Sequence, residues 1–321
     1  MKPIRILAVT ALSGVLAFGV AACGDDDSST STGGASGGGE KLSGNIKIDG
    51  SSTVFPFAQA GAEQFKGQNP NVEASVGESG TGGGFEKFCA GETDISNASR
   101  PIKDDEEAPI CKKAGVEYSE VQVANDGIAI MTSKDLKIDC MTTDELKKLW
   151  NKGSKVASYK ELNPKFPDEK VALFGPGTDS GTFDFFTDEI NGEEGDTRKD
   201  YSPSEDDNVT VTGVADDKGG LGYLGFSYYE DNSDKLNLVK VDGGDGCVEP
   251  SAATIQDGSY KPLARPLFMY PAAKSLARPE VKGFMEYLLE NNQAVADASK
   301  IVALTEEQAT EAKAALTKAE S

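Results

Sequence analysis

The chain has 321 residues, 38% hydrophobic and 26% charged, with 36 glycines, five cysteines and no histidine. The missing imidazole excludes a Ser-His-Asp triad and any His-containing zinc site. With 32 basic against 53 acidic side chains the net charge is −21, which excludes a broad nucleic-acid surface, since phosphate backbones are held by clustered Lys and Arg.

Residues 1–22 read as a signal peptide: Lys2 and Arg5 are followed by an apolar stretch from Ile4 to Val20, which ends in Ala21-Ala22-Cys23. A cysteine directly after small residues resembles a lipobox, so Cys23 is expected to become the lipid-bearing amino terminus. Residues 23–41, rich in Asp, Ser, Thr and Gly, offer too little apolar surface to fold and read as a flexible tether. Loss of Lys2 and Arg5 leaves 30 basic side chains against 53 acidic ones, a net −23 on the exported form.

The folded part begins near Leu42 and alternates short apolar strands with helical stretches, which predicts α/β architecture on a mainly parallel sheet. Strands are expected at Asn45–Asp49, Val72–Val76, Val121–Ala124, Ile128–Thr132, Val171–Phe174, Val209–Val211 and Leu236–Val241. Helices are expected at Phe57–Lys66, Gly84–Cys89, Thr143–Trp150, Thr182–Ile190, Glu280–Asn291 and Thr305–Lys318. The acidic stretch 191–208 reads as a surface excursion. Apart from Cys23, four cysteines remain, an even number that in an exported chain favours disulfides over metal ligation, since no CxxC spacing is present. Four cysteines allow three pairings; Cys89–Cys111 closes a short local loop and Cys140–Cys247 lies within one domain, so these two are preferred.

Three segments carry the functional signal. They are Asp49-Gly50-Ser51-Ser52-Thr53-Val54-Phe55-Pro56, Glu78-Ser79-Gly80-Thr81-Gly82-Gly83-Gly84-Phe85 and Gly175-Pro176-Gly177-Thr178-Asp179-Ser180-Gly181-Thr182-Phe183. Each lies between a predicted strand and a predicted helix. Glycine lets the backbone approach a ligand, helix starts leave N–H groups unpaired, and hydroxyls add neutral donors, so such turns suit an anion. None has P-loop or GxGxxG spacing, which disfavours a nucleotide and leaves a small oxyanion. A fourth segment, from Asp94 to Ile102, places Arg100 at a strand end, where its fork suits carboxylate or phosphate.

Together these motifs resemble the PstS family, the phosphate-binding lipoproteins of bacterial phosphate ABC transporters, over residues 44–290. Gly219-Gly220-Leu221-Gly222-Tyr223 is similar to the family's glycine-rich strand entry, and Ala264-Arg265-Pro266-Leu267 to the return of the chain to its first domain. The resemblance implies a two-lobed type II periplasmic-binding fold with two hinge crossings, lobe 1 spanning 42–125 and 265–321 and lobe 2 spanning 126–264. It implies a monomer outside the cytoplasmic membrane, lipid-anchored, that captures inorganic phosphate for a membrane permease, without cofactor or metal. Carried over, the motifs offer Ser52, Thr53 and the Val54 amide, then Thr81, then Ser180, Gly181 and Thr182. Two positions depart from the pattern: Pro176 stands where many members have arginine, and Ser99 where many have aspartate. Arg100 is the expected replacement cation, and Asp126 or Asp179 the replacement acceptor; a purely structural reading instead pairs Asp126 with Arg100 and makes Asp179 a helix cap. Catalysis at Ser180 is not expected, for want of a histidine or an SxxK lysine. The same pocket would serve another oxyanion, or a phosphate-sensing or adhesive surface protein.

Overall fold

Alternating apolar residues from Ser43 to Gly50 bury Ile46 and Ile48 on one face and start a sheet that gathers the whole folded chain. The structure, a computed structural model, describes residues 42–178 and 180–318; the segments expected as signal peptide (1–22) and tether (23–41, with Cys23), and Asp179, lie outside the described residues. The strands are β1 (Ser43–Gly50), β2 (Asn71–Val76), β3 (Ile95–Ala98), β4 (Val121–Ser133), β5 (Cys140–Thr142), β6 (Ala172–Pro176), β7 (Ser202–Ser204), β8 (Gly220–Gly225), β9 (Leu236–Asp242), β10 (Cys247–Val248) and β11 (Ala264–Pro271). Their main order is β2-β1-β3-β11-β4-β8-β6-β7, with β9 on β4 and β5 and β10 beside β9.

Parallel pairing joins β1 to β2 and β3, and β6 to β7 and β8, as βα units require. The two groups are connected by antiparallel strands, so the sheet is mixed rather than mainly parallel. The first half of β4 pairs with β11, Ala264 opposite Gly127 and Leu267 opposite Ala124, while its second half pairs with β8 and β9. β4 is therefore one continuous strand through Asn125-Asp126-Gly127, where the sequence suggested two separate strands, Val121–Ala124 and Ile128–Thr132. The reason is that its backbone has partners on the way: Asn125 exchanges both main-chain bonds with Val302, at 2.8 and 3.0 Å.

Each half has its own core. One gathers Ile46, Phe57, Phe65, Val123, Met269, Phe284 and Leu288; the other gathers Ile130, Leu146, Trp150, Phe186, Leu221, Tyr223 and Val239. Both expected disulfides are present, Cys89–Cys111 in a small satellite cluster with Phe85, Phe88 and Tyr270, and Cys140–Cys247 tying β5 to the β10 hairpin. Helix Thr143–Trp150 starts where expected because Thr142 and Glu145 form a reciprocal capping box. Residues Val209–Val211, expected as a strand, belong instead to helix Asp207–Asp216: Asp206 caps it through Asn208 N, and Val211 and Val214 turn inward at helical spacing. The excursion 191–208 is not wholly irregular, since Ser202–Ser204 adds an edge strand beside β6.

Candidate functional site

The first turn leaves β1 at Gly50, whose φ of 139° suits glycine and where a side chain would meet the Asn97 carbonyl oxygen at 2.2 Å. Ser51 N donates to that same oxygen at 3.0 Å, so β1 and β3 deliver their ends together. Helix Phe55–Gln68 follows, with no side chain capping its first amides; Val54, expected to offer its amide, is fully buried and lines neither of the crevices described below. The second turn enters helix Gly80–Cys89 earlier than the sequence suggested, with Gly80 at φ 73° and again no side-chain cap. Asp49 holds it from below, accepting from Ser79 Oγ and from Lys87 Nζ at 2.7 Å. Thr81 Oγ1 lies 3.0 Å from Ser99 Oγ and accepts from Ser99 N at 3.2 Å, which links this turn to the end of β3.

The third turn crosses from the other half of the molecule. Thr53 Oγ1 donates to the Gly181 carbonyl at 3.2 Å, and a Cβ on Gly181 would stand 2.5 Å from Thr53 N and 2.8 Å from Ser52 Oγ. Only glycine permits this approach without displacing backbone. Ser180 Oγ is occupied as the cap of Thr182 N at 3.2 Å.

Ser52, Thr53, Thr81, Ser99, Arg100 and Gly181 line one crevice of about 480 Å³. Asp126, Ser180 and Thr182 instead face an adjoining crevice of about 580 Å³ that shares Ser52, Thr53 and Gly181 with the first. The first and third turns thus form a ridge between two clefts, and the expected residues divide around it.

Two arginines line the first crevice. Arg100 is engaged bidentately by Glu107, at 2.7 and 2.9 Å, and lies 5.9 Å from the Phe85 ring centre. Burial is the largest single influence and would raise the Glu107 carboxyl, but the hydrogen bonds from Arg100 and the Lys103 amide, with the charges of both residues, together hold that carboxyl low. Arg265, quoted above only for the returning chain, is the cation that sequence reasoning missed. It sits on β11, stacks 3.6 Å over the Phe185 ring, donates to Thr53 Oγ1 at 2.7 Å and faces Asp126 Oδ2 at 3.4 Å. The partner of Asp126 is therefore Arg265 and not Arg100. Burial pushes Asp126 up and Arg265 down, and each opposes the shift of the other.

A second missed residue is Asp184, one turn into the helix Gly181–Phe186. Its Oδ2 lies 3.5 Å from Ser52 Oγ, and burial, followed by repulsion from Glu194, raises its carboxyl to about 6. Asp188, Glu189 and Glu194 line the same wall. The signal available in sequence was a carboxylate set among Phe183, Phe185 and Phe186, a place where burial must perturb it. No group of acids or cysteines suited to a metal ion occurs among the described residues.

Two α/β halves joined by β4 and β11, with hydroxyls, helix starts and a buried arginine meeting between them, make the architecture of a two-lobed solute-binding protein. The profile of the PBP superfamily domain matches residues 34–292. Protein SphX of Synechococcus elongatus is 43% identical over 249 residues, 77% of this chain and 73% of that protein. The phosphate-binding protein PstS of Staphylococcus saprophyticus is 40% identical over 314 residues, 97% of this chain and 93% of that protein. A solved structure described as a possible phosphate binding protein from Planctomyces limnophilus superposes with a TM-score of 0.81 at 44% identity, covering 87% of this chain and all of that one. The chain belongs to the PstS family of the PBP superfamily.

Proposed function

We propose that this protein binds inorganic phosphate outside the cytoplasmic membrane and delivers it to the permease of an ABC importer. The observation that carries the reading is the contact at Gly181, which brings a turn from each half, with Arg265 on Thr53, to one point. The donors are the Ser52, Thr53, Thr81 and Ser99 hydroxyls and the amide of Gly181, with Arg265 as the near cation and Arg100 at the rim. Ser180 and Thr182 flank the ligand from the adjoining cleft. Helix starts and hydroxyls supply partial positive charge without a full countercharge, and a Debye length of about 8 Å at physiological ionic strength limits repulsion from remote surface acids.

Residues 42–125 and 265–321 form lobe 1 and 126–264 lobe 2, and closing the lobes around the anion creates the face that the permease meets. The protein is monomeric, anchored by lipid at Cys23, and not an enzyme. Among the described residues no helix is long and apolar enough to cross a membrane. Selectivity resides in Asp184. Asp126 already serves Arg265, whereas Asp184 has an oxygen turned to Ser52 at the crevice wall. Phosphate brings a proton to such a carboxylate and sulfate does not, and an unmet buried acceptor costs about 1–3 kcal/mol or more. Calorimetric titration of the phosphate-stripped, delipidated protein tests both parts. We expect phosphate to bind at least about fivefold more tightly than sulfate at neutral pH. Equal affinities would remove the selectivity argument, and absence of binding to either anion would remove the reading itself.

A further inference from the structure

The second half of the molecule carries a basic groove that the ligand crevice does not use. It encloses about 580 Å³ between the loop after helix Thr143–Trp150 and the segment 197–200, and Lys152, Lys155, Lys170, Arg198 and Lys199 line it against one lining carboxylate, Asp200. In a chain of net charge −21 this gathering of five cations is against the trend of the whole surface.

The groove is built rather than accidental. Arg198 is 6% exposed and fixes its floor, donating to the carbonyls of Leu149 at 3.0 Å and Val156 at 3.4 Å and to both oxygens of Asp200 at 2.6 and 2.8 Å. Its hydrogen bonds hold the Asp200 carboxyl down to about 2, so this acid is spent on the arginine. Lys152 is paired with Asp196 at 3.4 Å. Lys155, Lys170 and Lys199 are exposed and make no ion pair among the described residues. Between them the surface is apolar, from Ala157 and Val171 over the buried Val156.

Position separates this groove from the crevice. Val171 immediately precedes β6, and the Gly177–Gly181 turn follows its far end, so five residues of strand, about 17 Å, lie between the two. None of the residues around the groove lines either cleft at the ridge.

The geometry points to this groove as a docking site for an acidic polypeptide segment of a partner protein, with carboxylates reaching Lys155, Lys170 and Lys199 and an apolar side chain resting on Ala157 and Val171. Concavity favours a protruding segment over a flat bilayer, and the apolar floor favours a peptide over a polyphosphate, which has no apolar surface to bury. The net charge of −21 disfavours such a segment on the surface at large, so the groove also sets its orientation.

The probe is a fluorescent ten-residue peptide alternating glutamate and leucine, titrated against the full protein at low and physiological salt. We expect saturable binding that weakens as salt rises. The triple variant Lys155→Glu, Lys170→Glu, Lys199→Glu should bind the peptide more than about tenfold more weakly, because exposed contacts worth a few-fold each become repulsive. Phosphate binding by the same variant should not change, and that control also verifies folding. No binding at low salt, or equal binding by the variant, would overturn the proposal. So would binding of inorganic tripolyphosphate or of phosphatidylglycerol vesicles without binding of the peptide.

Discussion

Arg100 and Arg265 line the same crevice and both face a carboxylate, yet they are different kinds of charge. The Arg100 side chain is 35% exposed and its partner Glu107 is seven residues away on the same surface, so water screens the pair and the chain can form it locally. The Arg265 side chain is 17% exposed, that of Asp126 9%, and 139 residues separate them. Arg265 also covers an aromatic face and holds Thr53 from the first turn. A rim charge of the first kind tunes encounter with an anion; a buried charge of the second kind joins the two halves at the crossing strands and fixes a donor.

The largest effect should therefore follow Arg265→Ala. It leaves Asp126 buried without its countercharge, which costs about 3–5 kcal/mol of stability, and it releases Thr53. Denaturant unfolding should register the first loss and calorimetry the second, with phosphate affinity falling at least about a hundredfold. Replacing both partners, Arg265→Met with Asp126→Leu, should recover most of the stability, since paired removal leaves no orphan charge, while affinity stays low. Recovery of affinity as well would make Arg265 a structural residue only.

Arg100→Ala sharpens the contrast from the other side. Loss of a screened pair should cost at most about 1 kcal/mol in unfolding, and phosphate affinity should fall by about tenfold or less, chiefly through a slower association that salt partly masks. A loss as large as that for Arg265 would show that Arg100 leaves Glu107 and closes onto the ligand.

The same two residues explain what could be read in the sequence. Hydroxyl and glycine turns are local patterns, so the three junctions were legible, and so were elements with local start signals, such as the capping box at Thr142 and Glu145. The small glycine at 181 was legible as part of a motif, but its reason, the Thr53 amide 2.5 Å from any added Cβ, exists only after two halves meet. Arg265 lies in an otherwise apolar return strand, and nothing nearby in sequence announces Asp126 as its partner. Asn125-Asp126-Gly127 has turn chemistry, and only pairing with β11 and Val302 keeps it extended. Val209 and Val211 favour a strand by residue type, yet the Asp206 cap and the inward face shared with Val214 decide for helix. Long-range pairs account for Gly181, Arg265 and the continuity of β4, whereas the helix at Val209 and Val211 rests on a local cap and on the face it turns inward.

Asp184 gives the smallest expected change in stability and the sharpest in selectivity. Its carboxyl titrates at about 6 in the fold against an ordinary 3.8, because burial and Glu194 favour the protonated form. Between those values the folded protein keeps a proton that the unfolded chain has released. The stabilising contribution is therefore complete below the ordinary value and is lost as pH rises through 6. Asp184→Asn removes the penalty of ionisation, so the unliganded variant should melt higher than the parent at pH 8 and equally at pH 3.5, by about 1 kcal/mol or less because the side chain is half in water. For the ligand the sign reverses between anions. At pH 8 phosphate is mostly the dianion HPO4²⁻, which still carries the proton it shares with Asp184 and takes none from the buffer; sulfate carries no proton, so its complex with the parent must protonate Asp184, and heats measured in buffers of different ionisation enthalpy should report close to one proton gained with sulfate. The Asn variant, which can donate to an unprotonated oxygen, should report almost none and should bind sulfate more tightly than the parent does. Identical proton counts with sulfate in the two proteins would move the acceptor away from Asp184 while leaving the contrast between the two arginines untouched.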